Sequence, residues 1–185
     1  AETSAEVKNL GLRRAAERLR DQAQTVLEAN VSDLEAARDR GLSGAMLDRL
    51  ALDPDRLEGI AAGLEAVAGL PDPVGQIICE WERPNGLRIS RRRVPIGVIG
   101  VIYESRPNVT ADAAALCIKS GNAAILRGGS ESYESSRAIH QVLDQAFSES
   151  GLPAGSIQMV PTSDRAAVGW LLTGLAGAVD MIIPR

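Results

Sequence analysis

The stretch VIYESRPNVTADAAALCIKSGNAAILRGG spans residues 101–129 and alternates strand-like and helix-like segments. Two short apolar runs flank a small-residue segment that has the length and periodicity of a helix, and Gly121-Asn122 ends that segment. A strand, a helix and a second strand in such close succession form a parallel pair, because the helix carries the chain back to the other end of the sheet. The stretch therefore predicts a parallel β-sheet with helices packed against it.

The same alternation of apolar runs and helical segments continues to residue 185. Predicted strands lie at 96–103, 123–127, 157–161 and 178–184, and predicted helices at 110–120, 133–150 and 164–175. This βαβαβαβ order predicts an α/β fold with a doubly wound parallel sheet over residues 95–185. Such a sheet binds ligands beyond the carboxyl ends of its strands.

Two other segments precede the predicted sheet. Residues 1–74 are predicted to form a helical layer, because apolar residues from Leu12 to Leu27 recur at three- and four-residue steps. Residues 75–94 are predicted to form a protruding β-hairpin around Asn85-Gly86. An isolated two-stranded ribbon is marginal by itself, so this hairpin is expected to contact another subunit.

Composition excludes several classes of function. The net charge is −4, which gives no support for a nucleic-acid partner. A single histidine and two cysteines cannot supply ligands at zinc spacing, so no metal is expected. No apolar run approaches the roughly 18 residues of a membrane span. The opening AETSAEVKNL lacks the apolar core of a signal peptide, so no membrane partner and a cytoplasmic location are expected.

Polar residues cluster where three predicted strands end, at 103–108, 127–130 and 161–163. Each cluster precedes a predicted helix, whose first N–H groups favour an anion. Arg127 is followed by Gly128 and Gly129, so its guanidinium and a bare backbone could face a phosphate. The alternative is a tight turn with a solvated arginine.

Arg106 and Asn108 are the candidates for contact with a substrate. Arg106 could hold a carboxylate or a phosphate, or it could form a surface salt bridge. Asn108 could donate a hydrogen bond to a developing oxyanion, or it could satisfy the local backbone of a turn. The sequence around the two residues leaves both alternatives open.

No activated nucleophile is evident in the sequence. Cys117 shares a helical face with apolar neighbours, which predicts a buried and inert thiol, and Cys79 is likewise predicted to have a packing role. Gly97 and Gly100 lie before or within a strand, so they are not the glycine fingerprint of a standard dinucleotide-binding turn.

Three stretches are long and specific enough to indicate a family: AMLDRLALDPDRLEGIAAGL (45–64), RRRVPIGVIGVIYESRPNVTADAAALCIKSGNAAILRGGSES (91–132) and AVDMIIPR (178–185). Together they resemble the gamma-glutamyl phosphate reductase family of the aldehyde dehydrogenase superfamily. The resemblance implies an aldehyde-dehydrogenase-like cofactor domain. It also implies reduction of L-glutamyl 5-phosphate by NADPH to L-glutamate 5-semialdehyde, with phosphate release, in proline biosynthesis.

The resemblance also implies a cofactor site. Arg127 is expected near the adenosine ribose and its 2′-phosphate, with Gly128, Gly129 and Ser130 in the same turn. Arg185 is expected to begin the next cofactor-facing turn. Members that prefer NAD often place a glutamate shortly after the basic residue, and the Gly-Gly-Ser sequence at this place favours NADP.

The family uses a catalytic cysteine that forms a thioester with the acyl group, and neither Cys79 nor Cys117 matches it. That cysteine is expected in a catalytic domain beyond residue 185, so the present chain is expected to be the inactive N-terminal part of an enzyme. Asn108 lies near the oxyanion asparagine of the superfamily. A homo-oligomer, held through the hairpin, and functional coupling to glutamate 5-kinase are expected as well.

Two alternatives stay open. One is a CoA-acylating or other aldehyde dehydrogenase. An assay that compares acyl phosphate with acyl-CoA as substrate would distinguish it from the reductase. The other is a non-catalytic nucleotide-binding or oligomerisation module, for which no cysteine-bearing domain would follow.

Overall fold

The computed structural model describes residues 3–185. Its helices are α1 (Ala5–Asp21), α2 (Ala23–Asp39), α3 (Ala45–Leu50), α4 (Pro54–Gly69), α5 (Asn108–Lys119), α6 (Tyr133–Glu149) and α7 (Ala166–Leu172). Its strands are β1 (Ile77–Glu82), β2 (Arg88–Arg92), β3 (Val98–Ile102), β4 (Ala123–Arg127), β5 (Ile157–Met159) and β6 (Met181–Pro184). Short 3₁₀ turns lie at Ser130–Ser132 and Leu175–Gly177.

Strands β3 to β6 form the predicted parallel sheet, in the order β5-β4-β3-β6. Strand β3 pairs with β4 from Val98 opposite Ala123 to Ile102 opposite Arg127. On its other edge, β3 pairs with β6. The observed strands are shorter than the apolar runs that predicted them. Strand β5, for example, ends before Pro161, which has no N–H to continue the ladder.

The N-terminal helices form a layer over α5 and α6, which themselves cover one face of the sheet. Helix α1 packs against α4 and α6, and α4 packs against α5. The apolar stripe of α1 is fully buried in this layer: Leu12, Ala15, Ala16 and Leu19. Helix α4 begins where the side chain of Asp53 accepts the N–H of Arg56 at 2.7 Å, with Pro54 in the first turn.

Helix α7 packs against the opposite face of the sheet. Successive residues of a strand point to opposite faces, and Ile99 and Val101 both belong to the main core. Gly100 between them faces the other way, because a Cβ at Gly100 would lie 3.7 Å from Leu171 Cδ2. The sheet therefore has helices on both faces, as the sequence predicts.

The predicted hairpin is confirmed as an antiparallel pair of β1 and β2. Gly86 at its tip has φ +83°, a left-handed conformation that glycine adopts without strain. Every residue of β1 is exposed. The proposed subunit contact through this surface stays a prediction.

Among the helices of residues 3–185, none combines the length and the apolar character needed to cross a lipid bilayer.

Candidate functional site

A cavity of about 690 Å³ lies beyond the carboxyl ends of β3 and β4, and we call it the strand-end cavity. The chain lines it with Leu42, Met46, Arg49, Leu50, Ile102, Tyr103, Glu104, Ser105, Arg127, Gly129, Ser130, Glu131, Arg165, Val168 and Gly169. Small-molecule sites in proteins usually fall between 300 and 1,000 Å³. The cavity is therefore large enough for a nucleoside.

Arg127 ends β4 and is only 7% exposed. One terminal nitrogen of its guanidinium donates to the carbonyl of Gly128, and the other donates to Ser163 O at 2.8 Å. Its Nε is buried and has no hydrogen-bond partner in the described part of the chain. Arg127 thus joins two strand-end loops, and its Nε–H is left without an acceptor in residues 3–185.

The glycine pair allows the loops after β3 and β4 to approach each other closely. A Cβ at Gly128 would lie 2.9 Å from the ring of Tyr103, and one at Gly129 would lie 2.7 Å from the main-chain nitrogen of Ser105. The sequence suggested that these glycines expose bare backbone to a phosphate. The structure gives another reason, because larger residues would force the two loops apart.

Glu131 is a residue of the strand-end cavity that the sequence analysis did not identify. Ser105 Oγ donates to its carboxylate at 2.5 Å, and Ser130 Oγ donates to the other oxygen at 3.0 Å. The hydrogen bond from Ser105 lowers the pKa of Glu131. No local pattern predicts this contact, because Ser105 and Glu131 lie on different loops.

The first amides of α6 already have an anionic partner. Asp33 on α2 is buried, and its carboxylate accepts the N–H of Glu134 at 3.2 Å and that of Ser135 at 2.8 Å. The expectation that α6 presents free N–H groups to a phosphate is therefore corrected. The sequence could not reveal this cap, which joins residues about a hundred positions apart.

A second cavity, of about 390 Å³, lies between the α3–α4 segment and the start of α5, and we call it the helical cavity. Its lining comprises Asp48, Arg49, Ala51, Leu52, Arg56, Gly59, Ile60, Arg106, Asn108 and Asp112. The two predicted substrate-facing residues, Arg106 and Asn108, therefore line a different cavity from Arg127, and Arg49 lines both cavities.

Glu104 connects the two cavities. It lines the strand-end cavity, and its carboxylate lies 2.6 Å from Arg106 Nε and 3.3 Å from Arg49 Nη1. The Arg106 contact is an ion pair by distance, but the N–H is not aligned as a hydrogen bond. Asn108 Nδ2 donates to Asp112 at 3.1 Å, and burial raises the pKa of Asp112.

Arg185 lines neither cavity. Its main-chain N–H donates to Ile102 O at 2.8 Å, which places it at the end of β6 beside β3. Its role in a cofactor-facing turn stays a prediction.

The two cysteines lie in different environments. Cys117 is buried, and burial raises the pKa of its thiol to about 11, so the predicted packing role is confirmed. Cys79 is exposed on the hairpin, so the predicted packing role of this residue is wrong for the single chain. Side chains of a two-stranded ribbon alternate between its two faces, but neither face is buried here because no other part of the described chain covers the hairpin.

Residues 3–185 contain no group of three His, Cys, Asp or Glu side chains suited to a metal ion.

The sheet and the cavity at its strand ends define an α/β domain of the dinucleotide-binding class. The sequence model of the aldehyde dehydrogenase family matches residues 3–182, and the chain belongs to this family. Membership implies a nicotinamide dinucleotide cofactor. The strand-end cavity has room for the nucleoside of such a group, and Arg127, whose buried Nε has no partner in the described chain, lines it.

Relatives identify a branch of the family. The chain is 58% identical over 183 residues to the gamma-glutamyl phosphate reductase of Paramagnetospirillum magneticum, covering 99% of this chain and 43% of that protein. It is 59% identical over 181 residues to the one of Rhodospirillum rubrum, covering 98% and 42%. The chain thus spans less than half the length of these relatives.

Solved structures agree with the fold. The gamma-glutamyl phosphate reductase of Thermotoga maritima matches with a TM-score of 0.94 and 42% identity, covering 100% of this chain and 44% of that one. A propionaldehyde dehydrogenase of Clostridium phytofermentans matches with a TM-score of 0.69 and 14% identity over 99% of this chain and 38% of that one. The second likeness concerns the fold alone. The predicted aldehyde-dehydrogenase-like fold is confirmed.

Proposed function

We propose that the intact protein is a gamma-glutamyl phosphate reductase. It reduces L-glutamyl 5-phosphate with NADPH to L-glutamate 5-semialdehyde and releases phosphate, in the cytoplasm and as a step of proline biosynthesis. The observation that carries this proposal is the 58% identity to a relative of that name over 99% of the chain. The match covers the segments that line both cavities and is not confined to the sheet.

The cofactor is proposed to occupy the strand-end cavity and, when bound, to supply the hydride. Arg127 Nε and the backbone of Gly128, Gly129 and Ser130 would contact its adenosine half. Three observations support NADPH over NADH. Arginine side chains line the cavity, and Arg165 is exposed there without an ion pair in the described chain. Both carboxylate oxygens of Glu131 already accept hydrogen bonds from serine hydroxyls, so Glu131 is engaged and not free to accept the ribose hydroxyls of NADH.

The substrate is proposed to lie at the helical cavity. Arg106 would bind an anionic group of the substrate. The amide of Asn108 has two N–H groups; one donates to Asp112, and the other would be free to donate to an oxyanion. We propose that the nucleophilic cysteine belongs to a catalytic domain beyond residue 185. Support comes from the burial of Cys117 and from the position of Cys79 on the hairpin, away from both cavities.

We also propose a division into a helical layer (1–74), an oligomerisation hairpin (75–94) and a cofactor core (95–185). Exposed apolar side chains on the hairpin, such as Ile78 and Trp81, support a homo-oligomeric contact. Deleting residues 77–92 from the intact protein should lower its mass in light scattering, and an unchanged mass would refute the role of the hairpin.

Functional coupling to glutamate 5-kinase is proposed because that enzyme would supply the acyl phosphate.

The reaction is tested most simply in reverse. With the intact protein, L-glutamate 5-semialdehyde, NADP⁺ and phosphate, absorbance at 340 nm should rise, and omission of phosphate should stop the rise. Turnover that requires CoA in place of phosphate would favour a CoA-acylating aldehyde dehydrogenase. No turnover with either acceptor would favour a non-catalytic nucleotide-binding module.

A further inference from the structure

The helical cavity carries charges of both signs within a volume suited to one amino acid. Three arginines and two aspartates line its 390 Å³. One pair is satisfied locally, because Arg56 contacts Asp48 Oδ1 at 2.7 Å and the carbonyl of Ala51 at 2.9 Å. Asp112 on α5 has no such local partner. Arg49 and Arg106 have only one carboxylate between them, that of Glu104.

Asp112 is a half-buried carboxylate without an ion-pair partner. No lysine or arginine lies within ion-pair distance of it in residues 3–185, and its side-chain donor is the neutral amide of Asn108. Burial of the carboxylate raises the pKa of Asp112, and the hydrogen bond from Asn108 and the more distant charge of Arg185 offset this only in part. A ligand with an ammonium group would supply the missing partner.

Arg106 and Arg49 leave an excess of positive charge at the same cavity. Both guanidinium groups lie near the single carboxylate of Glu104, at 2.6 and 3.3 Å. The buried Nε of Arg106 has no aligned acceptor. A ligand carboxylate would balance the second guanidinium and accept its remaining N–H groups.

We propose that the helical cavity binds the α-amino-acid end of the substrate, with the α-ammonium on Asp112 and the α-carboxylate on Arg106 and Arg49. Asn108 then positions Asp112 through the 3.1 Å hydrogen bond. The inference rests on the proposed function, since a glutamyl substrate carries this zwitterionic end. It explains why cationic and anionic groups that do not pair with each other line one cavity.

Binding of L-glutamate and of glutarate to the intact protein tests the proposal, because glutarate lacks only the ammonium group. Calorimetry should show that the wild type binds L-glutamate more tightly. Asp112→Asn should weaken L-glutamate binding roughly ten- to a hundredfold, the effect of losing one charged hydrogen bond, and change glutarate binding less than about threefold. Asp39→Asn, on the exposed end of α2, is the matched control and should change neither affinity.

A second variant distinguishes loss of the binding site from misfolding of Asp112→Asn. Gly59 lines the cavity, and a Cβ there meets no atom within 4 Å, so Gly59→Leu should fill the cavity, abolish binding of both ligands and keep the thermal melting curve. Equal wild-type affinity for both ligands, absent L-glutamate binding, or unchanged binding in Asp112→Asn would overturn the subsite. Glutamate binding that depends on Asp112 in a protein without semialdehyde turnover would instead uphold the subsite and refute the reductase.

Discussion

The carboxylate of Asp33 accepts hydrogen bonds from both the main-chain N–H and the hydroxyl of Ser135, at 2.8 and 2.5 Å. Asp33 lies on α2, and Ser135 lies in the first turn of α6. Asn30, one turn earlier on α2, donates to the same hydroxyl at 3.0 Å. The N-terminal layer therefore fixes the helix that follows the strand-end turn of Arg127.

Replacing Asp33 should destabilise the protein. Asp33→Ala removes a helix cap and leaves the N–H and the O–H of the buried Ser135 without their acceptor, so the free energy of unfolding should fall by about 1–3 kcal/mol. Urea denaturation of the intact protein measures this change. Asp39→Ala, at the exposed end of the same helix, should cost less than about 0.5 kcal/mol. Equal losses in the two variants would show that the cap is not what stabilises α6.

The contrast between local and distant contacts explains what the sequence could reveal. The strands and the hairpin were predictable because apolar periodicity and Asn85-Gly86 act locally. The contacts of Asp33 with Ser135 and of Ser105 with Glu131 were not, because polar residues on separate elements leave no periodic signal. For the same reason, the sequence placed Arg106 and Asn108 at a strand end but did not reveal Asp112 beside them.

The two thiols should differ sharply in reactivity. Burial raises the pKa of Cys117 to about 11, so roughly one molecule in a thousand is a thiolate at pH 8. Cys79 is exposed. Iodoacetamide at pH 8 should therefore alkylate Cys79 in the folded monomer and leave Cys117 unmodified, as peptide mass spectrometry will show. Rapid alkylation of Cys117 without unfolding would mean that its helix opens and that its thiol is not inert.

The buried ion pair of Lys8 and Asp72 should make the free energy of unfolding depend on pH in the acidic range. Lys8 Nζ lies 2.6 Å from Asp72 Oδ2 and is 2% exposed. Partial burial tends to raise the pKa of Asp72, but hydrogen bonds from Lys8 and from the N–H of Val74 outweigh it, and the net pKa is lowered. Lys8→Met should therefore reduce stability at pH 7 by about 1–3 kcal/mol.

The same pair gives a signed pH dependence. Because the folded-state pKa of Asp72 lies below its ordinary value of 3.8, the contribution is complete above that pH and is lost as the pH falls further. The stability difference between wild type and Lys8→Met should therefore shrink below about pH 4. A difference that stays constant from pH 7 to pH 3 would contradict the ionic origin. Arg88→Met, which breaks the exposed pair with Glu80, should cost less than about 1 kcal/mol.

Two arginines of the strand-end cavity should affect cofactors differently. Arg165 is exposed and free to approach a 2′-phosphate, so Arg165→Ala should weaken NADPH binding roughly tenfold or more and NADH binding little. Arg127 holds the carbonyls of Gly128 and Ser163, so Arg127→Ala should weaken both cofactors together. Fluorescence titration gives all four dissociation constants. A loss confined to NADPH in Arg127→Ala would assign the 2′-phosphate to Arg127, as the family resemblance implies.

If the strand-end cavity holds the cofactor, a side chain that fills this cavity should block cofactor binding, and two glycine variants separate that effect from a change in the fold. Gly169 lines this cavity and Gly63 lies on α4, outside both cavities, and a Cβ at either residue meets no atom within 4 Å. Leucine should therefore be tolerated by the fold at both positions, and it should occupy the cavity only at Gly169.

The decisive measurement is the dissociation constant of NADPH for the intact protein and for Gly169→Leu and Gly63→Leu. We predict an increase of at least about tenfold for Gly169→Leu, because the new side chain takes the volume that the nucleoside needs. Gly63→Leu should bind NADPH like the wild type, and both variants should keep their melting temperatures. An unchanged dissociation constant in a folded Gly169→Leu variant would show that NADPH does not occupy the strand-end cavity.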